Sequence, residues 1–186
     1  MNENIRSFGI FFDEFHSFAS ELNRAADVIV FSETWFSANT CHDVQGYTGL
    51  HTYRADKTGG GVSGFIRNCY TSTHAYGQIF SVSCILWDKF GEGFALKQLS
   101  VIIIGVYRPP DKSKFPQFTI NEILSSTSQS DHVFIVGDLN INLLDLIAVE
   151  NDFINNCHSN SLIPLINKPT RNANNNPSIL DHSYMD

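Results

Sequence analysis

The stretch 132-HVFIVGDLN-140 decides how this chain reads. Its apolar run, Val133 to Val136, suits a strand buried on both faces. The run then ends in Gly137, Asp138 and Asn140. A turn accounts for one such residue. Two polar groups spaced i, i+2 point the same way while the chain stays extended, so Asp138 and Asn140 look like half of a site. An Asx-turn is the structural alternative for the same pair.

Other strand-like runs end in the same manner. The run 28-VIVFSETW-35 stops at Ser32-Glu33, and the run over 94–107 finishes at Tyr107 before Arg108-Pro109-Pro110. A last short strand, Ile179 to Tyr184, carries Asp181. Several buried strands ending in Glu33, Tyr107, Asp138 with Asn140, and Asp181 imply strand ends that converge on one edge. Ligands bind at such edges in open α/β architectures.

The residue types suit hydrolysis of a phosphodiester. A hard divalent cation such as Mg²⁺ takes oxygen ligands, commonly one or two carboxylates, and Glu33 supplies one. Such an ion polarises phosphoryl oxygens and offsets transition-state charge. Asp138 can orient or deprotonate the attacking water. Asn140 can donate its amide hydrogens to a phosphate oxygen, and Tyr107 offers a hydroxyl. Arg108 has two readings, a phosphate contact or a partner for a carboxylate.

Bulk properties agree. A chain of 186 residues with 42% hydrophobic and 17% charged residues suits one ordinary domain with a packed core. The net charge of −7 opposes passive attraction to nucleic acid and favours a metal-dependent enzyme over a simple binder. Cys41, Cys69, Cys84 and Cys157 lie far apart without a CxxC pair, which reads as four reduced thiols rather than a zinc site or disulfide framework. No apolar run approaches the roughly 20 residues of a membrane helix, and no secretory signal is read at the N-terminus. The expectation is an intracellular protein without a membrane partner.

Along the chain, Phe12, Phe15, Phe18, Ala19 and Leu22 give one apolar helical face over 9–26. Residues 37–58 read as irregular. The glycines of 59-GGGVSGFIRN-68 predict a turn with close backbone packing ahead of an alternating strand, not a phosphate loop, since no Gly-Lys-Ser/Thr follows. Strands are expected over 78–87 and 94–107, and helices over 115–127 and 149–160, the latter with Phe153, Ile154 and Cys157 inward. The Asn- and Pro-rich segment 167–178 reads as loop.

The pieces 32-SETWF-36, 60-GGVSGFIRN-68, 105-GVYRPP-110, 137-GDLNINLLD-145, 169-PTR-171 and 180-LDH-182 resemble, in that order, the endonuclease/exonuclease/phosphatase superfamily. They look most like the endonuclease domain of LINE-type (non-LTR) retrotransposons. The resemblance implies an α/β fold of two mixed β-sheets packed face to face with outer helices, a deoxyribonuclease-like four-layer sandwich. It implies phosphodiester cleavage with Mg²⁺ or Mn²⁺, target DNA as partner, a reverse transcriptase domain in the parent polyprotein, and a nuclear site of action. It implies Asn4 and Glu33 beside the metal, and Tyr107, Asn140 and Thr170 at the phosphate, for which Arg108 stays a candidate on its own two readings. Asp138 then positions the water, and Asp181 orients a catalytic histidine.

That histidine belongs, in the family pattern, to a Ser-Asp-His motif beyond the Leu-Asp-His segment, and a strand precedes the early Asn. This sequence has neither, so the reading is one domain truncated at both ends, its catalysis impaired. His182 directly follows Asp181 and faces the other way in extended chain, which makes it a strand-end surface residue rather than a substitute. Two other readings stand beside the endonuclease: an inactive remnant that keeps the fold and weak metal binding, and a relative acting on a non-DNA phosphoester such as a lipid or sugar phosphate.

Overall fold

Apolar, β-branched runs build two sheets. The computed structural model describes residues 2–5, 7–9, 11–12, 15, 26–37, 42–52, 59–71, 81–87, 91–98, 100–110, 132–145, 148–173 and 175–186. The first sheet contains β1 (Asn2–Asn4), β2 (Val28–Ser32), β3 (Tyr47–Thr52) and β4 (Val62–Arg67), in the order β1-β2-β4-β3. The four-residue α1 (Asn68–Thr71) follows β4.

The second sheet contains β5 (Ser81–Trp87), β6 (Gly91–Gln98), β7 (Val101–Tyr107), β8 (His132–Asp138), β9 (Ile163–Pro164) and, after the small hairpin of β10 (Arg171–Ala173) with β11 (Asn176–Ser178), β12 (Asp181–Met185). Its order is β5-β6-β7-β8-β12-β9. The helix α2 (Ala148–Ser159) lies between β8 and β9 in the chain. Both sheets are mixed: β1 runs parallel to β2 and β7 parallel to β8, and the other pairings are antiparallel.

Side-chain alternation sorts the core into three zones. Between the sheets lie Val30, Val62, Ile66, Phe94, Leu96 and Tyr107. On the outer face of the first sheet, Ile29, Phe31 and Phe65 pack with Phe8, Phe15 and Phe36. Phe15 is a helical residue of the segment predicted as a helix over 9–26, and helical Phe8 directly precedes it; within 9–26 the positions other than 9, 11, 12, 15 and 26 lie outside the described residues. On the outer face of the second sheet, Ile104, Val106, Ile135 and Tyr184 pack with Phe153 and Cys157 of α2. Helix, sheet, sheet and helix make the expected four-layer sandwich.

The two sheets meet over Phe94. A Cβ on Gly64 of β4 would come 2.5 Å from its Cζ, and one on Gly105 of β7 would overlap the same ring. Both sheets leave out a side chain where that aromatic lies. Burying such a ring contributes about 1.5–3 kcal/mol, which a glycine on each side makes possible.

Several expectations are corrected. Residues 47–52, read as irregular, form β3 at the edge of the first sheet, because an edge strand needs only one apolar neighbour and tolerates Gly49 and polar Thr48 and His51. The run 94–107 is two strands, since the polar Lys97, Gln98 and Ser100 mark a hairpin that pairs Gln98 with Val101. Residues 62–66 are buried throughout rather than alternately, because β4 is covered on both faces. Part of 167–178 forms the β10–β11 hairpin, its backbone turning through Asn175 at φ 62°. Where the first strand was expected to be missing, the three residues of β1 run up to Asn4. The helix read over 115–127 lies outside the described residues. No helix among those residues is long and apolar enough to cross a membrane.

Candidate active site

Register assembles the site. Tyr107 pairs with Asp138 across the parallel β7–β8 ladder, and Asp138 pairs with Asp181 across β8–β12. Residues directly opposite in a ladder share a face, so these three side chains stand in a row at one end of the second sheet. That face is the one turned toward the first sheet. There the Tyr107 hydroxyl donates to Glu33 Oε1 at 3.0 Å, joining residues 74 apart in sequence. The Asp138 backbone N–H donates to Ser32 Oγ at 3.3 Å, a second tie between the sheets. Asn4 lies in backbone register with Ser32, and the following chain runs on beside Glu33, whose carbonyl accepts from the Ser7 N–H at 2.8 Å.

The backbone after each strand is bent to deliver these groups. Glu33 adopts φ 57° and Asn140 φ 48°, left-handed conformations that cost a non-glycine residue about 1–3 kcal/mol and cluster at functional sites. Gly137 sits at φ 153°, and a Cβ there would overlap the Val106 carbonyl, which answers why the apolar run must break at glycine just before Asp138. The glycine triplet takes the close-packing role expected of it. The Trp35 N–H donates to the Gly60 carbonyl at 2.9 Å and the Thr34 N–H to that of Gly61 at 3.4 Å, which pins the Glu33 loop.

Asp138 and Asn140 form an Asx-turn, the carboxylate Oδ1 accepting from the Asn140 N–H at 2.9 Å. The Asn140 amide donates to the Arg108 carbonyl at 2.7 Å. Arg108 is buried, and its Nη1 donates to the carbonyls of Leu139 and Asn140, both at 3.2 Å. Its guanidinium therefore braces the 138–140 turn. Thr170 is exposed, and its hydroxyl accepts from the N–H groups of Leu180 and Asp181 at 3.2 and 3.3 Å, fixing the start of β12.

Asp181 is half-buried, and its Oδ1 is shielded from solvent with no hydrogen-bond partner among the described residues. Desolvation pushes its carboxyl pKa up against the opposing Thr170 hydrogen bond. His182 points away, as its position predicts, but it is not on the surface. It is 1% exposed, with Nε2 2.9 Å from the Ile141 carbonyl and Nδ1 3.0 Å from the Tyr184 hydroxyl. Burial lowers its pKa to about 4, so the ring is neutral. A surface role failed because the face opposite the site is covered by α2.

The donors on the shared edge are oxygens: the carboxylates of Glu33, Asp138 and Asp181, and the Tyr107 hydroxyl. Imidazole is turned away, and no group of three His, Cys, Asp or Glu side chains fit to hold a metal occurs among the described residues. A set of hard oxygens is the donor chemistry that suits a hard divalent cation, one that takes few protein carboxylates. Sequence reasoning overlooked Ser32. Its signal was a hydroxyl at the last position of an apolar strand, on the same face as Val30.

No protein-family model matches this chain, and no curated protein does. Solved structures do. The chain is similar to the 3′-5′ exonuclease NExo from Neisseria meningitidis, at 14% identity and TM-score 0.72 over 99% of this chain and 85% of that one. It is similar to an AP endonuclease from Archaeoglobus fulgidus, at 11% identity and TM-score 0.71 over 99% and 84%. It is also similar to the endonuclease domain of TRAS1, a telomere-specific non-LTR retrotransposon, at 15% identity and TM-score 0.61 over 98% and 82%. The chain has the endonuclease/exonuclease/phosphatase fold.

Proposed function

We propose that this chain is a metal-dependent DNA endonuclease module of the non-LTR retrotransposon type, hydrolysing a phosphodiester to nick target DNA and prime reverse transcription. One observation carries the reading: the Tyr107–Glu33 hydrogen bond, which brings the ends of β7 and β2 together beside Asp138. The order of sequence motifs and the likeness in fold to nucleases support it. DNA is the substrate in this reading, and a reverse transcriptase domain is the partner.

Glu33 would hold the Mg²⁺ or Mn²⁺ ion, with Asn4 as the second ligand that the sequence resemblance suggests. The bound ion supplies charge neutralisation at the phosphoryl oxygens. Tyr107 orients the Glu33 carboxylate through its hydroxyl. Asp138 accepts the proton of the attacking water. Asn140 keeps one amide hydrogen on the Arg108 carbonyl and turns the other to a phosphate oxygen. Arg108 and Thr170 act through the backbone they hold. Nicking of supercoiled plasmid with Mg²⁺ tests the reading. Glu33→Ala and Asp138→Ala should each lose most of the activity, and equal background from all three proteins would reject it.

A second reading is favoured by the buried Oδ1 of Asp181 without a partner. A carboxyl at this position is suited to orient an imidazole, and His182, committed to Ile141 and Tyr184, is not that imidazole. In this reading Asp181 works without an imidazole partner, and turnover is slow while fold and weak metal binding persist. Added imidazole should then raise nicking, and Asp181→Asn should abolish the rise. Brisk nicking that imidazole leaves unchanged counts against it.

A further inference from the structure

Trp35 lies two residues beyond Glu33, between two buried neighbours, Thr34 and Phe36, and is itself 42% exposed. Its backbone sits at φ 56°. A bulky side chain in the left-handed region costs about 1–3 kcal/mol, and with 42% of the residue left to water packing repays only part of it. The conformation is nevertheless enforced, by the Trp35 N–H bonded to the Gly60 carbonyl, with Gly59 close beside the indole, where a Cβ would stand 3.9 Å from Nε1. The chain thus holds a tryptophan partly outward, against strain, two residues from Glu33. The other exposed large apolar residues among those described, Leu144, Ile163 and Leu165, are aliphatic.

We propose that Trp35 is a stacking platform for the nucleobase next to the phosphate held at Glu33. The inference rests on the proposed nuclease reading and adds to it a residue that grips the base. Three physical points favour a base over another protein's apolar side chain. Two residues of chain keep the Cα atoms of Trp35 and Glu33 within about 7 Å, and a strand rises about 3.4 Å per nucleotide, so the neighbouring base is within reach. The net charge of −7 denies the chain the usual affinity from phosphate neutralisation, and Arg108 is engaged inside the fold. An uncharged contact must then supply binding, and aromatic stacking does so whatever the base. The preferred ligand is a strand whose base at that position is unpaired or unstacked, since a ring face must be open to meet the indole.

The test is binding of a short labelled single strand, followed by anisotropy and by tryptophan fluorescence, against the same strand carrying an abasic residue beside the phosphate analogue of the cleaved position. Trp35→Ala should weaken binding of the intact strand roughly 5- to 100-fold, and Trp35→Phe by much less. The abasic strand should bind all three proteins alike. Quenching on binding should be stronger for wild type than for Trp35→Phe. Thermal stability should be unchanged in both variants, whereas a packing role would lower it and leave affinity alone. Intact and abasic strands bound equally by the wild type, or equal affinity in Trp35→Ala, would overturn the inference while leaving the nuclease reading standing. Failure of every strand to bind would overturn both. Binding of a protein partner at Trp35, with no discrimination between strands, would assign the patch to that partner instead.

Discussion

Acid should destabilise this protein through His182 by a predictable amount. The ring is neutral in the folded state. Since the Ile141 carbonyl can only accept, Nε2 carries the proton and Nδ1 accepts from the Tyr184 hydroxyl. Protonation would put a hydrogen on Nδ1, facing that hydroxyl, and a charge in a pocket lined by the core under α2. Burial accordingly lowers the pKa from 6.5 to about 4. A lowered histidine pKa means that the unfolded chain binds the proton first. The contribution is therefore fully present above the unfolded value and is lost as the pH falls from about 6.5 to about 4. At about 1.4 kcal/mol per unit the whole loss is about 3 kcal/mol, of which about 2 kcal/mol falls between about pH 7.5 and about pH 5. Urea unfolding of wild type and His182→Gln at those two pH values isolates it, because other titrating groups, Asp181 and His51 included, are common to both proteins. The variant is weaker at neutral pH but should lose about 2 kcal/mol less on acidification. A ring titration by NMR with a folded pKa between 6 and 7, or parallel pH profiles for the two proteins, would refute the argument from burial.

Other expectations follow from the site and its supports. Asp181 has a folded pKa above its unfolded value, so its protonated form is favoured by folding. That stability is present below the ordinary carboxylate range and is lost as the pH rises through the raised value, so Asp181→Asn should gain in urea midpoint at neutral pH and lose the advantage in acid. Ser32→Ala leaves the buried Asp138 N–H without its acceptor and should cost about 1–3 kcal/mol in chemical denaturation, with nicking reduced through displacement of Asp138. Gly137→Ala forces a Cβ into the Val106 carbonyl and should cost about 3 kcal/mol or more, read as a drop in Tm or failure to fold. Tyr107→Phe removes the hydroxyl on Glu33, and isothermal titration with Mn²⁺ should show weaker metal binding in a protein of near-normal Tm.

What was legible in the sequence was what local chemistry repeats. The apolar run of β8, its glycine, and the carboxylate and amide that follow announced a buried strand ending at a site. The runs before Glu33 and Tyr107 did the same, and the helical face of α2 was visible from Phe153, Ile154 and Cys157. Where the signal was weak the reading failed for a physical reason. Strand β3 and the β10–β11 hairpin are held by pairing rather than by apolar periodicity, and pairing partners are remote or exposed. The long run over 94–107 concealed a hairpin because both its strands are apolar.

Residue type and spacing by themselves determined which groups end the strands and on which side of a strand each points. Alternation fixed that Asp181 and His182 oppose each other, whatever surrounds them. Only the tertiary structure decided what each side meets: the first sheet for Asp181, the core beneath α2 for His182, the 138–140 turn for Arg108, and solvent for Trp35. Such partners lie tens of residues away, and their contacts depend on how two sheets settle over a ring such as Phe94. That packing is collective, and no local window of sequence contains it.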